Sequence, residues 1–267
     1  SDGRAEVVAL LKQAGEPRVL WSRGADASGR WGPAARLPGS GLATNATLAT
    51  SADGSVVASW VRQSEARAQR VAATRSGTRD WSARVVLDDL AGQLWGRSVS
   101  LAEPAGASVV WVRWDARPED RRVSLRSATL GTTAPAVPRI LQPLRLAPVR
   151  ASPGSVTIYG SPPVDLGAAS GPEPVIVWSA TSADRPDDPA ALAVSSRGPD
   201  GSWSPVQVLS APGRGAYPIA VGATPEGSVT VWSEAPPLGP PNALFVAERR
   251  RCDPARVTGS ARAPDAY

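Results

Sequence analysis

Apolar side chains recur at every second position of this chain in short bursts, and the bursts come in pairs. SVVASW (55–60) is answered by RVAATR (70–75), SVVWVRW (108–114) by RVSLRSA (122–128), and PVIVWSA (174–180) by ALAVSSR (191–197). SVTVWSE (228–234) with ALFVAER (243–249), and EVVALLK (6–12) with PRVLWSR (17–23), complete the series. A two-residue period rich in Val, Ala, Leu and Trp, bounded by Gly, Pro and Asp, predicts β-strands. Asp53–Gly54 between two such runs is a hairpin signal. The second repeat reads as four strands, A to D: 46–51, 55–60, 70–75 and 80–87. Equivalent A–B turns fall at Pro104–Gly106, Gly171–Glu173 and Pro225–Gly227, and C–D turns at 24–30, 76–79, 129–135 and 198–202.

Four short strands repeating every 45–55 residues or so predict an all-β chain built as a β-propeller. The expected blades are 1–40, 41–88, 89–143, 144–210 and 211–267, forming one domain. SPGSVTIYGS (152–161) echoes TPEGSVTVWSE (224–234) and would be half of a sixth blade if it is not an elaboration of the fourth. The first repeat opens at an A–B turn, and ARAPDAY (261–267) echoes GRGAYP (213–218), the approach to a strand A. The two termini are therefore expected to pair and close the ring, covering an otherwise open sheet edge.

Composition narrows the chemistry more than it names it. There is no His and a single Cys, Cys252, so neither a His/Cys zinc site nor a Ser-His-Asp or Cys-His site can be assembled. Cys252 has no partner for an internal disulfide. The formal charge is +5, from 29 Lys and Arg (Lys12 the only Lys) against 24 acids. These charges are scattered, with Arg249–Arg250–Arg251 as the one run, which argues against a nucleic-acid groove. Attraction to anionic cell-surface polymers stays open. No run of 18 or more apolar residues suggests a membrane span. The sequence does not begin with Met, and an exported, extracellular protein is expected. No cofactor is expected either: the Asp-rich ADRPDDP (183–189) offers the oxygen ligands that calcium takes, which leaves that ion open, but it lacks the spacing of a calcium loop.

The repeated DG, V-x-W, V-x-x-x-R and G-x-W-S elements resemble secreted actinobacterial propeller repeats of the sialidase-like (BNR-like) superfamily. GADASGRW (24–31) and GPDGSW (198–203) approximate that superfamily's Asp-box at altered spacing. In such boxes the Asp and Gly shape a turn and the Trp packs between blades, so the resemblance implies scaffold rather than catalysis. Sialidases also use a Tyr–Glu nucleophile pair. Of Tyr159, Tyr217 and Tyr267, none has a Glu placed beside it by a motif, and Glu226 falls at the opposite end of the expected strand A from Tyr217.

Scaffold readings fit most of the recurring residues. Trp60, Trp111, Trp178 and Trp232 end strand B at equivalent places and are expected to pack between blades, as are Trp31, Trp81 and Trp203. Arg23, Arg75, Arg197 and Arg249 end strand C, where each is expected to bond a neighbouring turn. Binding chemistry is expected where the pattern fails, in the unequal loops 62–69, 113–121, 179–190 and 233–242 that share one face with the D–A connections. The candidate ligand-binding residues there are Asn45, Trp95, Arg97, Arg113, Trp114 and Tyr217. The expected function is non-catalytic recognition of a cell-surface glycan, or of a protein partner within a larger secreted complex. The alternative is a sialidase-like glycoside hydrolase.

Overall fold

The computed structural model describes residues 5–11, 17–51, 53–64, 67–77, 80–90, 98–103, 106–114, 122–130, 139–145, 165–171, 173–180, 190–211, 214–224, 226–235 and 243–250. Among them every regular element is a strand. Because no helix occurs among the described residues, none is long and apolar enough to cross a membrane.

The strands form five antiparallel sheets in chain order. Sheet 1 holds β1 (Ala5–Leu11), β2 (Val19–Ala25) and β3 (Ala35–Arg36). Sheet 2 holds β4 (Ala43–Thr50), β5 (Val56–Gln63), β6 (Ala68–Arg75) and β7 (Val85–Leu90). Sheet 3 holds β8 (Ser98–Glu103), β9 (Gly106–Trp114), β10 (Arg122–Leu130) and β11 (Arg139–Arg145). Sheet 4 holds β12 (Leu166–Ala169), β13 (Val175–Ala180), β14 (Ala191–Ser196) and β15 (Gln207–Val208). Sheet 5 holds β16 (Gly215–Thr224), β17 (Gly227–Ala235) and β18 (Ala243–Arg250). Each complete sheet is a four-stranded meander, the unit of a propeller blade.

The paired bursts become the hairpins β5–β6, β9–β10, β13–β14, β17–β18 and β1–β2, in registers such as Trp60↔Val71 and Trp178↔Ala193. The expected strand D of the second repeat is shifted: β7 begins at Val85, not Asp80. Trp81 lies before it, because its indole Nε1 donates to Ser22 Oγ of sheet 1 (2.8 Å) and so anchors the approach segment rather than the strand. Trp31 and Trp203 likewise make isolated bridges to Ala25 and Arg197. Sheet 1 lacks an inner strand, as its sequence implies, and sheet 5 lacks an outer one, among the described residues. The residues expected to close the ring (253–267), the segment resembling half a blade (152–161) and the Asp-rich loop (183–189) lie outside the described residues.

The core lies between sheets, in four clusters that follow one rule. Trp60 packs with Leu20 and Leu37 of sheet 1, and Trp111 with Val57, Ala72 and Leu87 of sheet 2. Trp178 packs with Leu101, Val110 and Leu125 of sheet 3, and Trp232 with Val175, Val177 and Leu192 of sheet 4. Each strand-B tryptophan thus lies against the preceding sheet, and all four are essentially fully buried. Truncating such a ring to Ala costs about 3–5 kcal/mol. The faces left over are different: Val7 and Leu11 on β1 are half exposed, at 50% and 49%.

At the A–B and C–D turn end the recurring polar residues are joints. Asp26 Oδ1 accepts from Ser28 N (2.9 Å) and Arg30 N (3.0 Å), and Asp200 Oδ1 from Ser202 N (3.0 Å). Gly29 and Gly201 then take φ of +80° and +77°, open to glycine at little cost. Arg23 Nε donates to Gly32 O (2.7 Å) and Arg197 Nε to Gly201 O (3.0 Å), as expected for strand-C arginines. Two go further and tie sheets together. Arg75 bonds Glu6 of sheet 1, and Arg197 bonds both Ser108 and Thr129 of sheet 3. Arg23 and Arg75 also sit over the Trp31 and Trp81 rings, 5.9 and 5.4 Å from their centroids.

Candidate functional site

The opposite end of the sheets carries the unequal loops, and its most organised feature is the seam between sheets 2 and 3. On β9, Trp111 and Arg113 are two residues apart and share the face turned towards sheet 2. Arg126 on β10 lies opposite Trp111, and Ser124 opposite Arg113, so all four side chains occupy one patch. Sheet 2 answers with Asp88. A register shift beside Arg70–Val71 lets Arg70 pair with Asp88 while Val71 pairs with Val86, leaving Leu87 as the extra residue. In an unbroken strand Leu87 and Asp88 would point to opposite faces. The bulge turns both into the seam: Leu87 joins the apolar cluster and Asp88 reaches the polar patch.

Asp88 is 7% exposed, and both its oxygens are engaged. Arg113 Nη1 donates to Oδ1 (2.7 Å) and Trp111 Nε1 to Oδ2 (3.0 Å). Arg126 Nη1 approaches Oδ2 at 4.0 Å, while its Nε donates to Ser124 Oγ (3.1 Å). Arg70, 1% exposed, lies behind and donates to Ser98 Oγ at the start of β8. Burial pushes the Arg70 guanidinium down to about 10, and the attraction of Asp88 offsets that only in part. Deeper in the seam, Thr47 Oγ1 shares hydrogen bonds with Ser59 Oγ and Ser100 Oγ, both at 2.8 Å.

Sheet 5 contributes a second, simpler surface. Tyr217 on β16 lies opposite Ser233 and is 38% exposed, with Ile219 exposed beside it. On the other face of that sheet Glu234 is buried, its Oε1 accepting from Trp232 Nε1 (3.1 Å) and Ala211 N (3.2 Å). Glu226 stays at the far end of β16 from Tyr217, beside the Thr224–Gly227 pair.

Of the residues picked from the sequence, Arg113 falls in the organised seam. Asn45 is exposed at the start of β4, with φ of +49° where the β4–β5 register shifts. Tyr217 is exposed at the start of β16, and Trp114 ends β9, its backbone paired with Val123. Trp95 and Arg97 lie outside the described residues, in the 91–97 connection that ends at Ser98. Sequence reasoning passed over Asp88, Arg126 and Arg70. The signals available were the acid pair Asp88–Asp89 closing an apolar run, and arginines four positions apart, hence on one face, in RVSLR (122–126). No group of three His, Cys, Asp or Glu able to hold a metal occurs among the described residues.

No family model matches this chain, and no curated protein sequence does. Solved structures do. A glycosyl hydrolase from Bacteroides ovatus is similar over 96% of this chain and 84% of that one, at 12% identity and a TM-score of 0.44. The GH93 α-L-arabinofuranosidase of Fusarium graminearum, in complex with arabinobiose, is similar over 82% of this chain and 65% of its own length (13% identity, TM-score 0.43). An α-L-arabinanase of Penicillium chrysogenum complexed with arabinobiose is similar over 91% and 74% of the two chains, at 11% identity and a TM-score of 0.49.

Proposed function

We propose that this chain is a five-bladed β-propeller, closed by its two ends, that binds a carbohydrate at its loop end without cleaving it. The observation that carries the reading is the fixed guanidinium of Arg113, held by Asp88 beside the buried Trp111 ring at the mouth of a seam between two sheets. A planar donor set in advance against a rigid strand loses little entropy when it meets a sugar oxygen. Tyr217, exposed on an inner strand at the same end of the sheets, offers the apolar ring face on which a sugar ring stacks. Five sheets in series, with a half-exposed apolar face on sheet 1, support the closed ring.

Hydrolysis needs two carboxyl groups facing each other across the scissile bond, about 5–10 Å apart. Among the described residues the buried acids of this end, Asp88 and Glu234, belong to sheets 2 and 5 and are each bonded to the tryptophan of a different inter-sheet core. That disposition favours binding over cleavage. The test is a glycan array followed by titration calorimetry. Binding that Tyr217→Ala abolishes while the unfolding midpoint is retained supports the reading. Turnover of a fluorogenic glycoside refutes its non-catalytic part. Absence of any glycan signal, with a protein co-purifying through the same face, refutes it altogether.

A further inference from the structure

We infer that the connection from sheet 1 to sheet 2, residues 37–45, is a preformed contact turn that holds Leu42 out for a methyl group of the ligand, carried by a 6-deoxy or an O-methylated sugar. This rests on the carbohydrate reading of the loop end. Left-handed backbone crowds a Cβ against the next carbonyl oxygen, so most L-residues avoid it. Among the described residues, Gly29, Gly39, Gly54, Gly77 and Gly201 take that conformation, with φ between +57° and +80°. The two residues other than glycine that share it are Leu42 (φ +61°) and Asn45 (φ +49°), both at the entry to β4. Asparagine tolerates left-handed backbone and leucine does not.

The strain at Leu42 is not offset by burial, because the residue is 45% exposed. Nor is the backbone free to relax. On one side Ser40 is fully buried, its Oγ accepting from Leu20 N (3.2 Å) and donating to Leu37 O (2.8 Å). On the other, Ala43 is fully buried and donates its N–H to Arg18 O (3.3 Å). Leu42 O itself accepts from Gln63 N (3.1 Å). The turn thus fixes an apolar side chain in solvent, at a cost that no packing within the chain offsets. Strain of that kind persists where a contact outside the chain uses it. Glycine stands at 39 and 41 in the same turn, yet the exposed left-handed position carries leucine. An isobutyl tip makes no flat platform for a sugar ring, which Tyr217 supplies, but it suits a compact methyl group. The exposed Asn45 amide offers a donor and an acceptor to hydroxyls beside that methyl.

The experiment is a glycan array printed with matched pairs, L-fucosides against L-galactosides and 6-O-methyl-galactosides against galactosides. The full chain is compared with Leu42→Ala, Leu42→Gly and Val208→Ala; the last trims an exposed apolar side chain on β15. The parent is expected to prefer the methyl-bearing member of a pair about three- to tenfold, the worth of burying one methyl. Leu42→Ala keeps the crowded Cβ and loses the isobutyl tip, so the preference should vanish at an unchanged unfolding midpoint. Leu42→Gly should lose the preference while its midpoint rises by about 1–4 °C, as the strain is relieved. Val208→Ala is expected to bind as the parent does. Which pair shows the preference tells a 6-deoxy sugar from a methyl ether. An unchanged preference in Leu42→Ala, an equal loss in Val208→Ala, or a lowered midpoint in Leu42→Gly overturns the contact turn but leaves the carbohydrate reading standing. So does binding confined to glycans with neither methyl. Absence of any glycan signal in the parent overturns both. If Leu42→Ala does not fold, Leu42→Asn, which suits left-handed backbone, decides.

Discussion

Trp60 and Trp111 occupy the same place in successive sheets and are both fully buried, yet their indole nitrogens meet opposite fates. Trp111 Nε1 donates to Asp88, whereas Trp60 Nε1 is buried with no hydrogen-bond partner. Replacing each with Phe removes the same volume from a comparable apolar cluster, so the cavity contributions largely cancel in the comparison. What differs is the polar atom. Trp111→Phe leaves a buried carboxylate without one donor, a loss of about 1.5–3 kcal/mol for a hydrogen bond to a charged group. Trp60→Phe removes an orphaned N–H whose burial costs about 1–3 kcal/mol. The two variants should therefore differ by about 2.5 kcal/mol or more, with Trp60→Phe the more stable. For a chain of this size that is a difference of about 5–10 °C in unfolding midpoint. Urea and thermal unfolding followed by fluorescence and circular dichroism measure it. A difference under about 0.5 kcal/mol would refute the assignment of the indole nitrogens. So would a Trp111→Phe/Asp88→Asn cycle with no coupling between its two members.

Three further outcomes follow from named contacts. Asp88→Asn should destabilise the fold by about 3 kcal/mol in urea unfolding, because the partner arginines stay buried without their counter-charge; an unchanged midpoint would contradict the role given to Asp88. Arg197→Ala loses bonds to Gly201, Ser108 and Thr129 and should cost about 2–3 kcal/mol, again read by urea unfolding. Asp200 is held below its ordinary 3.8 by the Ser202 hydroxyl first and the Ser202 N–H second. Its ionised form is thus favoured in the folded chain, and the stability it lends is present above pH 3.8 and lost as pH falls through the lowered value. Ser202→Ala should return the Asp200 midpoint towards 3.8 in a carboxyl NMR titration, and no movement would refute the cause.

The hairpins were legible because each is written twice over, by alternation along the strand and by a strand-ending tryptophan that recurs. SVVASW can only bury Val57 and Trp60 on opposite faces, against sheets 3 and 1, and the structure places both there. The outer strands were less legible. DWSARVVL carries the right alternation from Asp80, but Trp81 is committed to Ser22 of the neighbouring sheet and pairing starts only at Val85. β3 and β15, two residues each, are too short to leave any period. For the site, Arg113 could be picked out because its loop departs from the repeat. Asp88 could not, since its inward direction depends on a bulge that alternation does not encode, and Arg126 is recognisable only once Trp111 is seen to lie opposite it.

That dependence on bulges bears on where the molecule is specialised. Register shifts occur at Thr44/Thr47, Arg70/Val71, Leu125/Arg126 and Pro218/Ala220. Three of the four lie towards the loop end of β4, β6 and β16, while the shift at Leu125/Arg126 falls mid-strand in β10. A bulge leaves a residue out of the ladder and re-aims its neighbours, at some cost in regular pairing. A fold that needed only to stack sheets would gain nothing by placing three of them at one end. Here they bring Asp88 into the seam, set Asn45 at positive φ, and fall beside Tyr217 and Arg126. The turn end instead reuses two solutions, an Asp–Ser turn in sheets 1 and 4 and an arginine over a tryptophan in sheets 1 and 2. Repetition at one end and local departure at the other set the loop end of the sheets apart from the turn end.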